Sequence, residues 1–197
     1  MDHEDDKYEW MVGETLIDYN KLYTYSDYLL WDDDKRRELI DGIPFLMSAP
    51  NRIHQKILGS LYIQFAALLK GKTCEVYFAP FDVRLNADTY DNTVIQPDLV
   101  VVCDQEKLND AGCKGVPDLA IEVLSPSTSS YDRNLKFNTY QKYGIREYWI
   151  IDPVKKTLAV HILTEGNYVT YPYGENDAVS VHVLGGSKID LNEIFEG

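Results

Sequence analysis

The 197-residue chain has no long hydrophobic run, and nothing in it approaches the ~18 consecutive apolar residues that a membrane span requires. Its start, MDHEDDKYEW, is acidic where a secretory leader is basic and then apolar, so the expected location is the cytoplasm. Cysteine is scarce. Cys74, Cys103 and Cys113 are odd in number and form no CxxC, which argues against a disulfide framework and a zinc knuckle and leaves structural thiols. Repeats and low-complexity tracts are absent apart from the acidic start. A serine nucleophile also lacks support, because the hydroxyls of residues 125–130 have no histidine base nearby.

Basic residues are outnumbered, 19 Lys and Arg against 32 Asp and Glu, for a net charge of -13. The deficit is uneven: residues 1–41 carry a balance of -8, residues 42–147 of -1, and the remainder of -4. A basic groove is therefore compatible with the middle of the chain even though the whole is acidic. With 45% hydrophobic and 26% charged residues, the length suits one well-buried core. The expected division is an acidic arm over residues 1–20 and one domain over 21–197.

The patterns along that domain are local and readable. Thr24, with Asp27 three residues on, can cap a short helix. ELIDGIPFLM (38–47) holds an Asp-Gly pair between apolar runs, the signature of a two-residue hairpin, with Glu38 at the start of its first strand. From Asn51 to Lys70 the residues Ile53, Ile57, Leu61, Phe65 and Leu68 recur at steps of three and four, predicting a long amphipathic helix closed by Gly71 and leaving His54 on its polar side. Three β-rich segments follow, at 74–85, 93–103 and 117–124, the last two apolar enough to be covered on both faces. Asp132–Tyr143 reads as a second helix stopped by Gly144, and residues 148–152 as another buried strand. A hairpin turned at Glu165-Gly166-Asn167 and a short tail complete an α/β layer around a mixed central sheet.

One charge does not belong in this pattern. In PDLAIEVL (117–124) the strand period puts Leu119, Ile121 and Val123 on one face and Asp118, Ala120, Glu122 and Leu124 on the other, so Glu122 points into whatever covers that face. A buried carboxylate needs a partner or a metal. Asp98 stands at the start of a neighbouring apolar strand, within ~5 Å sideways of Glu122 if the two strands pair. Two converging carboxylates repel unless a cation lies between them, and oxygen donors suit Mg²⁺ or Mn²⁺. Asp118 shares the face of Glu122 but lies ~13 Å along the strand, too far to share an ion, and is assigned to the strand start.

The following helix carries Arg133, Lys136, Tyr140 and Tyr143 at steps of three and four, and a short loop folds it back over the strand it left. Lys136 can then reach the carboxylates and orient an attacking water. A purely structural ion pair between Glu122 and Lys136 is the alternative, and Tyr140 and Tyr143 read as packing. Arg133, Lys142, Arg146 and Arg84 are candidate phosphate contacts.

The acid Glu38, Pro97-Asp98, Glu122 in a strand IEV, and Lys136 together resemble the PD-(D/E)XK nuclease superfamily. One departure is visible: the position two after Glu122, where that superfamily has lysine, is Leu124, and Lys136 is the replacement. More narrowly, ELIDG, PFDVRL, QPDLVVVCD, the block from PDLAIEVLSPST to EYWIIDP, and the final IDLNEIF are similar to the Uma-two family of restriction endonuclease domains, over residues 24–195. That resemblance implies the restriction endonuclease-like fold, a mixed central β-sheet flanked by helices. It implies a nuclease acting on nucleic acid, with DNA the expected substrate. In that reading Asp98 and Glu122 bind Mg²⁺ or Mn²⁺, Lys136 assists the attacking water, and Glu38 adds an acid at the edge of the site. Cutting a duplex needs two sites, which raises a homodimer as an expectation. The rival is a non-catalytic module that binds nucleic acid or protein on the same fold.

Overall fold

The structure is a computed structural model and describes residues 17, 18, 20–125 and 131–196. The expected acidic arm therefore lies almost wholly outside the described residues, as do the hydroxyls of residues 126–130. Helix α1 (Tyr25–Tyr28) carries the Thr24–Asp27 capping box. Strands β1 (Arg37–Ile40) and β2 (Ile43–Leu46) form the expected hairpin, with Asp41 at φ 49° and Gly42 at φ 83° in its turn. Both turn residues must adopt the left-handed region, which is why the pair is Asp-Gly. Helix α2 (Arg52–Leu69) is capped by Asn51, whose side chain accepts from the backbone N–H of His54 at 2.9 Å.

The two long β-rich segments each break in two. Residues 74–85 give β3 (Glu75–Phe78) and β4 (Val83–Arg84), with Pro80 between; residues 93–103 give β5 (Val94–Ile95) and β6 (Leu99–Val102), with Pro97 between. Proline cannot donate to a ladder, so each break lets the chain pass from one sheet to another. There follow β7 (Leu108–Asn109), β8 (Gly112–Lys114) and β9 (Leu119–Val123). The second helix opens as a wide π-helical turn (Tyr131–Lys136) and continues as α3 (Phe137–Tyr143), ended by Gly144 at φ 83°. Strands β10 (Glu147–Asp152), β11 (Thr157–Thr164) and β12 (Asn167–Gly174), the pair β13 (Ala178–Val181) and β14 (Ser187–Asp190), and α4 (Leu191–Glu196) complete the chain.

The expected mixed central sheet is present, in the order β12-β11-β10-β9-β6-β3, with β9 and β10 parallel and the other pairs antiparallel. A second six-stranded mixed sheet, β2-β1-β5-β4-β8-β7, stands beside it, and its strands of two to four residues are too short to show a period in the sequence. Alternation along the central strands sorts the core. Leu119, Ile121, Val123, Trp149 and Ile151 pack with Ile57, Leu61 and Phe65 of α2. Ala120, Leu124, Tyr148 and Ile150 pack instead with Ile40, Val83 and Ile95 of the second sheet and Tyr140 of α3. Each large side chain fully enclosed in this way contributes about 1.5–3 kcal/mol.

Two expectations are corrected. On α2, Ile53 is 50% exposed while His54 is 7% exposed, so the buried stripe begins one residue later than the apolar spacing suggests. Cys74 and Cys103 are not free thiols but are disulfide-bonded, and only Cys113 is free, in the core. The register of β3 on β6 pairs Glu75 with Val102, which sets Cys74 and Cys103 opposite each other one step further along.

Candidate active site

Glu122 sits at the fourth position of β9, 3% exposed, on the face that meets the second sheet. Its Oε1 accepts from Lys136 Nζ at 2.7 Å and from the Tyr140 hydroxyl at 2.7 Å. Lys136, 1% exposed, also reaches Glu38 Oε1 at 2.9 Å and so bridges an acid of each sheet. Glu38, on β1 and fully buried, accepts further from the backbone N–H of Gln96 and the hydroxyl of Tyr131, each at 2.7 Å. Burial alone would lower the pKa of the Lys136 amine, but Glu122 and Glu38 outweigh it and hold the amine well above its ordinary value. Burial, followed by the neighbouring acids Asp132, Asp98 and Glu38, pushes the Glu122 carboxyl up against the pull of Lys136. The same burial raises Tyr131 and Tyr140, so both remain hydroxyl donors to the acids.

Asp98 precedes β6. The register that pairs Leu99 with Ile121 sets Asp98 opposite Glu122 one step further. Asp98 Oδ2 accepts from the backbone N–H of Val123 at 2.8 Å and is 2.9 Å from His54 Nε2. A carboxylate only accepts, so Nε2 donates to it, while Nδ1 is buried with no hydrogen-bond partner among the described residues.

These groups line one cavity of about 280 Å³ that includes Glu38, His54, Asp98, Glu122, Asp132 and Lys136, with Arg36 also in its wall. Asp98 Oδ1 and Glu122 Oε2 have no hydrogen-bond partner among the described residues. No group of three His, Cys, Asp or Glu side chains among the described residues is arranged to hold a metal ion. Two carboxylates facing one cavity, each with an oxygen to offer, nevertheless match the way Mg²⁺ is commonly held, with waters and substrate phosphate completing its shell. A pair of carboxylate oxygens suits a hard divalent cation.

The four residues singled out in the sequence, Glu38, Asp98, Glu122 and Lys136, are thus brought together. Asp118 is elsewhere, accepting from the backbone N–H of Cys103 at 2.6 Å and from Arg146, as a strand-start residue should. The helix face expected to carry Arg133, Lys136, Tyr140 and Tyr143 divides. Lys136 and Tyr140 meet Glu122, Arg133 pairs with Asp152 at 3.0 Å, and the Tyr143 hydroxyl lies 3.1 Å from Asp41. Tyr140 is therefore more than packing. All four candidate phosphate contacts are already ion-paired: Arg133 with Asp152, Lys142 with Asp41, Arg146 with Asp118, and Arg84 with Asp91. His54, Tyr131 and Arg36 were not foreseen at the site. The Asn51 cap, which fixes where α2 starts, was the one available signal for His54.

Comparison with known proteins bears on the family and the fold. The Uma2 family, described as "Putative restriction endonuclease", matches residues 25–192. The chain belongs to the Uma2 family. Two uncharacterized proteins of Synechocystis are related to it: one is 27% identical over 164 residues, covering 81% of this chain and 85% of the relative, and the other 26% identical over 145 residues, covering 70% and 78%. Among solved structures, a crystal structure from Anabaena variabilis, titled "a putative nuclease belonging to DUF820", has a similar fold. It gives a TM-score of 0.71 at 19% identity and covers 88% of this chain and 98% of that one. The Uma2 match and this likeness together bear out the restriction endonuclease-like fold expected from the motifs.

Proposed function

We propose that this Uma2 protein is a divalent-metal-dependent nuclease that hydrolyses phosphodiester bonds in nucleic acid, DNA being the expected substrate. The observation that carries the reading is the pair Asp98 and Glu122, set opposite each other in register and lining one cavity, each with one oxygen that has no partner among the described residues. Asp98 and Glu122 would hold the ion, Mg²⁺ or Mn²⁺. When bound, such an ion supplies Lewis acidity to the phosphoryl group and makes water a better nucleophile at neutral pH. Lys136 keeps its charge through Glu38 and Glu122, which take two of its three N–H groups; the third, with no hydrogen-bond partner among the described residues, would orient a water or offset charge developing on phosphorus. Glu38 acts through Lys136, as the acid that fixes the ammonium from the second sheet.

The rival reading, a non-catalytic binding module, draws on one observation: Lys136 already offsets the buried acids, so the cluster could persist as a structural ion pair. Cleavage of labelled single- and double-stranded DNA and of RNA separates the two, with Mg²⁺, Mn²⁺ or EDTA, by the wild type beside Glu122→Gln and Lys136→Ala. Metal-dependent cutting by the wild type, lost in both variants, is the expected result. Cutting that survives Asp98→Ala or Glu122→Gln contradicts the assignment, and no cutting on any substrate favours the binding module.

A further inference from the structure

Any nucleic acid that enters this cavity brings phosphates toward a predominantly acidic wall, so some cation must receive them. The four bases that the sequence offered are bound to carboxylates, and Lys136 is bound to two. Arg36 differs from all of them. It stands immediately before β1, two residues from Glu38, so the strand period puts the two side chains on one face, and both line the cavity.

The guanidinium of Arg36 is held by a neutral group. Its Nε and NH2 donate to Gln96 Oε1 at 3.2 and 2.7 Å, and it makes no ion pair among the described residues. Gln96 is itself fixed, 7% exposed, with its backbone N–H on Glu38 and its amide nitrogen donating to Asp82 Oδ1 at 2.8 Å and the Tyr28 hydroxyl at 3.1 Å. Those donors determine which way the carboxamide points and leave its oxygen for Arg36. The result is a guanidinium with a fixed orientation, no direct ion pair, and an NH1 edge that has no partner among the described residues, with the Asp82 carboxylate beyond Gln96 in its field. A planar fork of this kind, preset and without a direct carboxylate partner among the described residues, is what binding a phosphate oxygen calls for.

We infer that Arg36 is the phosphate-binding residue of this cavity, its NH1 edge taking a non-bridging oxygen of a bound nucleic-acid strand. The inference rests on the nuclease reading, and it assigns the positioning of the strand to a residue separate from the carboxylates. Gln96 is the positioning residue that presets the guanidinium.

The test is equilibrium binding of fluorescein-labelled 20-mers of random sequence, single- and double-stranded, to the full chain at several salt concentrations, with Ca²⁺ in place of Mg²⁺. Random sequence suffices because phosphate contacts carry no sequence information. Arg36→Ala should weaken binding about tenfold and reduce the slope of log affinity against log salt by about one. Arg36→Lys should restore the slope, because it restores the charge, while recovering only part of the affinity. Lys142→Ala, at an exposed ion pair, should change neither. In Mg²⁺, cleavage by Arg36→Ala should show a raised KM with kcat little changed. Wild-type binding with an unchanged slope in Arg36→Ala overturns the inference and leaves the nuclease reading standing. A wild type that binds neither form of DNA overturns both.

Discussion

Two buried glutamates on neighbouring parallel strands meet different fates. Glu147, at the start of β10, is fully buried, and both its oxygens are taken: Oε1 accepts from the Trp149 indole at 2.7 Å and Oε2 from the backbone N–H of Val183 at 2.8 Å. Glu122, on β9, has two donors on one oxygen and none among the described residues on the other, and it lines a cavity. Glu147 is closed and Glu122 has valence left over. Burial alone therefore does not mark a functional carboxylate. What marks it is an oxygen that the protein positions and then does not use.

The largest expected effect comes from removing the cation that the second glutamate shares. Lys136→Met should cost about 3–5 kcal/mol in urea unfolding, because Glu38 and Glu122 are left buried without their counter-charge. Arg146→Ala, which removes the half-exposed partner of Asp118, should cost less than about 1 kcal/mol. Equal costs would erase the distinction between an enclosed pair and a surface one.

The glutamates themselves come next. Glu122→Gln should reduce metal-dependent cleavage ~100-fold or more, with little change in the unfolding midpoint. Glu147→Gln should do the reverse, lowering stability by about 1–3 kcal/mol through a mismatched hydrogen bond and leaving the cleavage rate unchanged.

Two buried histidine nitrogens that have no hydrogen-bond partner among the described residues sharpen the comparison further: Nδ1 of His54 and Nε2 of His161. His54 holds Asp98, so His54→Ala should weaken Mn²⁺ binding about tenfold, and His54→Gln, which keeps a donor near Nε2, should recover much of it. His161 faces Phe137 and Tyr148 and hydrogen-bonds Thr170, and burial pushes its pKa down to about 4 from 6.5. The folded protein therefore takes up this proton less readily than the unfolded chain does. Its contribution to stability is complete above pH 6.5 and is lost as the pH falls from 6.5 toward 4. Unfolding midpoints measured across that range should show a slope that His161→Leu removes.

Much of this arrangement is legible from local pattern. The Asp-Gly turn, the Asn51 cap and the Gly144 stop are chemical requirements of single positions, and they read correctly. The period of two placed Glu122 on the face opposite Leu119, Ile121 and Val123, and Glu122 does line the cavity there. Asp98 and Lys136 followed, because adjacent strands and a returning helix leave few places for them.

What could not be read depends on partners distant in sequence. The buried position of His54 is set by one residue of rotation on α2, and the apolar spacing favoured Ile53. The disulfide depends on the β3–β6 register, and the separate role of Arg36 on which carboxylates happen to reach the other bases. Four strands of the second sheet, β4, β5, β7 and β8, span two or three residues each, fewer than a period needs to declare itself.

The most direct measurement is a calorimetric titration of Mn²⁺ into the full chain and into Asp98→Asn and Glu122→Gln, without nucleic acid. One ion bound by the wild type and lost in both variants is the expected result. Binding of equal strength in all three, or none in the wild type, would mean that the two facing carboxylates are not a metal site.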